Sequence, residues 1–157
     1  MSPIVLDAIL AYGHFLFIGT LIACLAMETA LVRANEFSQP QLKRLATIDA
    51  LYGLSSLLII VFGVCRVLYG LKGADYYVGN HVFWTKMALF AATGLASVPP
   101  TINFLRWRKA SAADPAFQPP PRKLRSVRGH IVAEWILLAL IPVAAVLMAR
   151  GVGYVAG

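Results

Sequence analysis

Four long apolar runs, Ile4 to Val32, Leu45 to Leu71, Val82 to Val98 and Ile131 to Met148, take up most of this 157-residue chain. Crossing about 30 Å of hydrocarbon takes about 20 helical residues, with roughly 17–25 usual. Every run reaches that length, the third only just. Inside hydrocarbon each backbone polar group must be satisfied by the segment itself, so runs of this kind become helices. Burying them in a soluble enzyme would need amphipathic partner segments, and the sequence has none. The expected fold is therefore all-α, an integral membrane four-helix bundle. Its spans are expected at 4–32, 45–71, 81–98 with an extension to 109, and 128–150, all in one domain. Composition agrees: 59% of residues are hydrophobic and 13% charged, where a soluble domain carries roughly 25% charged residues.

The net charge of +7 is unevenly placed. Arg33, Lys43 and Arg44 flank the first connection, and Arg106, Arg108, Lys109, Arg122, Lys123, Arg125 and Arg128 flank the third. These are ten of the 14 basic residues. By the positive-inside rule, connections one and three face the cytoplasm and both termini lie outside, N-out and C-out. The basic flanks suit anionic lipid headgroups. No folded soluble platform is present to carry a nucleic-acid interface. The first run lacks a basic n-region and is too long for the apolar core of a signal peptide, so it is expected to remain as a span.

Turn formers mark the connections. Asn35, Ser38 and Pro40 lie in the first. Gly73, Asp75, Gly79 and Asn80 lie in the second, among Tyr69, Tyr76, Tyr77 and Trp84, which suit an interfacial aromatic belt. The third connection, 110–124, includes the stretch ASAADPAFQPPP and reads as a mobile, partly extended cytoplasmic linker. Pro99 and Pro100 are expected to kink the third helix near the inner face, and Pro142 to bend the fourth. Cys24 and Cys65 fall at different depths and should stay unpaired.

Every apolar run carries ionisable residues. Charge inside a membrane is costly, so such residues face the bundle interior and mark a site, a relay or a buried pair. Asp7, His14 and Glu28 are spaced by 7 and 14 residues and share one helix face. Sorted by depth, the polar groups form two sets. The outer set is His14, Arg66 and Lys86, with Asp7 and His81 nearer the surface. The inner set is Glu28, Asp49, His130 and Glu134, with Arg106 and Arg128 at its rim.

Three readings of the outer set stand side by side. His14 could be an axial metal ligand of haem b. Arg66 and Lys86 could supply donors to an anion or to a quinone-like redox headgroup, with His14 moving a proton. Or all three could bind one another and backbone carbonyls, locking helices in a structural or accessory subunit. For the inner set, Glu28, Asp49 and Glu134 could pair with Arg33, Arg106 and Arg128 as structural ion pairs. Joined to the outer set through Thr20, Ser55, Ser56, Thr93 and Ser97, they would form a proton path. Signatures of metal hydrolysis, nucleotide hydrolysis and serine catalysis are missing from the sequence. A homo-oligomer and an accessory place in a membrane complex both stay open.

The segment LYGLSSLLIIVFGVCRVLYGLKGADYYVGNHVFWTKMALF, followed by SVPPTINFLRWRK and IPVAAVLMARG, resembles the bacterial membrane-protein family called domain of unknown function 2214. The resemblance implies a four-span protein of the inner membrane. His14 and Lys86 also match, by type and position, a pattern in HemJ-type protoporphyrinogen oxidases and CopD-type copper-resistance domains. At the end of its first span the HemJ type has an Arg-Leu-Phe-x-Tyr-His element, where this chain has Glu28, Leu31 and Arg33.

Overall fold

In the computed structural model, which describes residues 2–153, the chain forms four long helices and one short one. They are α1 (Pro3–Leu31), α2 (Gln39–Tyr69), α3 (Ala74–Val78), α4 (His81–Ala113) and α5 (Pro121–Ala149). The long helices run alternately up and down. Their short connections, 32–38 and 114–120, lie at one end, here called the basic end. The described ends of the chain and α3 lie at the other, the termini end.

Each long helix starts on a local signal. Ser2 and Ser38 accept from the backbone N–H three residues on, at 3.4 Å in both cases, ahead of Pro3 and Pro40 in the first turn. A proline there has no helical N–H to lose and brings its φ ready-made. Asn80 caps α4, its Oδ1 accepting from Val82 N at 2.8 Å and Phe83 N at 3.4 Å. Pro121 opens α5.

Helix sides are apolar and outward-facing: Ile4, Phe15, Leu57, Leu95 and Val143 are all exposed. In the most apolar stretch of each long helix only 17–22% of residues are buried inside the chain. Surfaces of that kind are stable against lipid rather than water. All four long helices are long and apolar enough to cross a membrane.

Packing is concentrated at the basic end. α1 lies along α2, α4 along α5, and α2 against α4, while α1 and α5 barely meet. The core consists of Leu21, Leu25, Leu42, Leu45, Tyr52, Phe104, Trp107, Val127 and Ile131 with their neighbours. Polar contacts tie the same end across long sequence separations. The Gln118 side chain makes a reciprocal pair with the backbone of Phe37, receiving Phe37 N–H at 2.9 Å and donating to Phe37 O at 3.0 Å. Arg128 donates to Val32 O at 2.7 Å and to Ala34 O at 3.3 Å. Trp135 Nε1 donates to Thr29 Oγ1 at 2.9 Å, joining α5 to α1.

A smaller set closes the termini end. Asn80, fully buried, also donates from Nδ2 to Val152 O at 3.2 Å, and His81 N donates to Gly153 O at 3.1 Å. Gly153 has φ +80 and sits so close to Val82 and Asn80 that a Cβ would collide there. Only glycine serves both demands. Tyr76 OH donates to Met148 O at 2.7 Å.

Several local expectations need correcting. α4 runs through Pro99 and Pro100 as one 33-residue helix to Ala113, four residues past the expected extension to 109. The two prolines leave the carbonyls of Leu95 and Ala96, one turn back, without their helical N–H partners; one turn on, Asn103 Nδ2 donates to Pro99 O at 2.7 Å. The third connection is also shorter than 110–124, since α4 runs to Ala113 and α5 starts at Pro121. It is pinned by Gln118, with Phe117 packed on the core, rather than extended and loose. α2 begins at Gln39, six residues before the expected start at 45, because Ser38 and Pro40 start a helix in polar sequence. Removing the Gln118 amide in Gln118→Ala breaks both bonds to Phe37. It should cost about 1–2 kcal/mol of stability and expose the 114–120 connection to proteolysis; an unchanged unfolding midpoint and cleavage rate would refute the clasp.

Candidate functional site

The helix spacing that set the two polar groups on inward faces carries into the fold. At the termini half, His14 of α1, Arg66 of α2 and Lys86 of α4 come into one neighbourhood, half-buried and within electrostatic reach of one another. The His14 ring lies over Gly63, whose missing side chain leaves the space. Its Nδ1 is 3.1 Å from the carbonyl oxygen of Ile59. A carbonyl can only accept, so Nδ1 carries a proton and Nε2 is the nitrogen left to take a proton or bind a ligand.

Arg66 has its Nε buried without an acceptor. The Lys86 ammonium stands 5.7 Å from the Phe83 ring centroid. Among the described residues, no carboxylate counters the charge at His14 or Lys86. Asp7 is higher, its carboxylate against the Gly70 backbone where α2 ends. His81 is exposed at that end. A second imidazole level with His14 is therefore missing among the described residues, since His130 belongs to the opposite end. Two surface grooves, at Pro142–Leu147 and around Leu31, Ser38 and Arg44, do not border the three basic residues.

At the basic half a denser cluster forms. Glu28 of α1, Asp49 of α2 and Glu134 of α5 are 2%, 6% and 1% exposed. Tyr52, one turn from Asp49 and slightly more buried, directs its hydroxyl to the Glu134 carboxyl. Thr101 Oγ1 of α4 donates to Asp49 Oδ1 at 2.8 Å. One oxygen of Glu28 and one of Glu134 are buried with no hydrogen-bond partner. Arg128 turns to the carbonyls of Val32 and Ala34, and Arg33 and Arg106 are exposed. The acids thus lie within electrostatic reach of one another, with the Tyr52 hydroxyl at Glu134, the Thr101 hydroxyl at Asp49 and no guanidinium among them. His130 is half-buried one turn toward the basic end from Glu134, its Nδ1 2.8 Å from Ser126 O.

Between the clusters, the hydroxyls of Thr20, Thr93 and Ser97 bond to carbonyls of their own helices. Ser55 is buried and Ser56 half-buried on α2. Cys24 and Cys65 are free thiols. Tyr52 and Thr101 were not singled out by the sequence pattern. The i, i+3 spacing of Tyr52 from Asp49 places it on the same face and was the available signal for it; Thr101 had none.

Residues 6–153 match the family described as "Predicted membrane protein (DUF2214)". The chain belongs to this family. Comparison with curated proteins and with solved structures gives no match. The family description supplies a membrane location and no activity, so chemistry must come from the two polar clusters themselves.

Because the Ile59 carbonyl selects the Nδ1–H form of His14, nitrogen-15 NMR of the purified protein should show a protonated Nδ1 on this ring. In Gly63→Leu, where a side chain displaces the ring from α2, that resonance should shift. An Nε2–H neutral tautomer in the unsubstituted protein would contradict the geometry.

Proposed function

We propose that this is a multi-pass protein of the bacterial inner membrane that holds a redox-active ligand by its oxygen atoms, between α1, α2 and α4 in the outer half. The observation that supports this is the buried, acceptor-less Nε of Arg66 beside His14 and Lys86. An unpaired donor in a water-poor site favours a ligand that brings acceptors. Two redox groups offer that chemistry: the carbonyls of a quinone and the propionates of haem b. In either case Arg66 and Lys86 would bind oxygen. For haem, His14 would hold the iron through Nε2, its Nδ1–H held by Ile59 O in the manner of ligating imidazoles. Haem would supply one-electron chemistry when bound. The sparse packing of the termini half, against the dense core at the basic half, also favours a ligand there.

A second reading has its own support. The contact of His14 with Ile59 O and Gly63 fastens α1 to α2 without any ligand, which suits a structural or accessory subunit. Absorbance of the detergent-purified protein and quinone analysis of its lipid extract separate the cases. A reducible Soret band lost in His14→Ala means haem. A colourless protein that retains quinone, and loses it in Arg66→Gln with Lys86→Gln, means a quinone. A colourless, quinone-free protein that melts lower in His14→Ala overturns the ligand reading in favour of the structural one.

The same reading places the basic end in the cytoplasm, where most Lys and Arg of the connections lie. A topology reporter fused after Gly157 should register outside the cytoplasm; a cytoplasmic signal would reverse the orientation.

A further inference from the structure

We infer that Glu28, Asp49 and Glu134 form a proton-binding site, three carboxyls that hold bound protons in common around Tyr52, with His130 between them and the water at the basic end. This does not depend on what the termini half binds.

Three observations carry it. The acids come from three different helices and lie within electrostatic reach of one another, Glu28 of Asp49 and Glu134, and Glu134 of Asp49. The cluster is dry: Glu28 and Glu134 are 2% and 1% exposed, and each has an oxygen sealed from solvent without a donor. No basic side chain neutralises them. The groups facing the cluster are Cys24 on α1, one turn from Glu28; Tyr52 on α2; Thr101 on α4; and His130 on α5. Among these only His130 can carry positive charge, and it stands at the rim.

Three ionised carboxylates in such a place would each lose hydration with no compensating charge, which costs far more than retaining protons. A proton also removes the charge that makes a sealed, partnerless oxygen most costly, and makes the group a donor where a carboxylate only accepts. A metal ion is a poor alternative, since among the described residues no three His, Cys, Asp or Glu side chains converge on a common point. The hydroxyls complete the arrangement. Thr101 donates to Asp49, and Tyr52, facing Glu134, can both donate and accept. With interacting carboxyls the protons belong to the set rather than to one residue. His130 keeps Nδ1 on Ser126 O, so its Nε2 can take a proton from water and pass it towards Glu134.

Infrared spectroscopy of the full-length protein in nanodiscs at neutral pH tests this. The unsubstituted protein should show a carboxylic-acid carbonyl band that moves on transfer to D2O. The band should lose intensity in Glu28→Gln and in Glu134→Gln, nearly vanish in the double variant, and persist in Glu36→Gln, which alters an exposed acid. His130→Ala should leave the band intact but slow its exchange several-fold. Absence of the band in the unsubstituted protein, which needs no variant to fold, overturns the proposal. So does a band that survives both glutamine substitutions, or one bleached by sodium or potassium chloride but not choline chloride, which would make the cluster a cation site. An exchange rate unchanged in His130→Ala removes His130 from the route.

Discussion

Lipid is as apolar as leucine, so apolar side chains alone give membrane helices little reason to associate. Everything else in this bundle depends on that constraint. The outward faces are left to the hydrocarbon, and specific association falls to shape and to polar groups that have nowhere else to go. Gly63 admits the His14 ring against α2. Thr29, Gln118 and Arg128 each join segments far apart in sequence. Several of these bonds end on backbone carbonyls near helix ends, which a membrane protein cannot leave unsatisfied.

The two halves of the bundle answer the constraint differently. At the basic end, aromatic and aliphatic packing around Phe104, Trp107 and Tyr52 is closed, and the clasp from Gln118 to Phe37 draws the two connections together. Charge enclosed there has no water to lean on, which is why the Glu28, Asp49 and Glu134 cluster is chemically demanding. At the termini end the helices are held by the Asn80 turn against Val152 and Gly153, while larger side chains such as Tyr12, Phe15 and Leu68 stay exposed. The basic trio sits in that more open half.

Much of the architecture was legible from residue order. Span length and apolarity pointed to the four helices, and the sevenfold spacing of Asp7, His14 and Glu28 put those side chains on one face before any contact was known. The separation into an acidic and a basic set followed from depth alone. Pairing was harder. Arg128 looked like a partner for an acid and instead binds Val32 and Ala34. The proline-rich stretch looked loose and is held by Gln118, because a glutamine amide 81 residues from Phe37 in sequence leaves no local pattern. Pro99 and Pro100 were expected to kink a helix that continues beyond them, and α4 does run through both, to Ala113.

The sequence by itself therefore determined the class of fold, the segments facing lipid and the residues turned inward, since helical periodicity and hydrocarbon thickness are local constraints on consecutive residues. Tertiary structure alone decided which inward residues meet: His14 with Ile59 and Gly63, Tyr52 with Glu134, Thr101 with Asp49. Those meetings depend on the rotation and axial offset of one helix against another. Both are fixed by packing between surfaces remote along the chain, and neither is written in the spacing of any one segment.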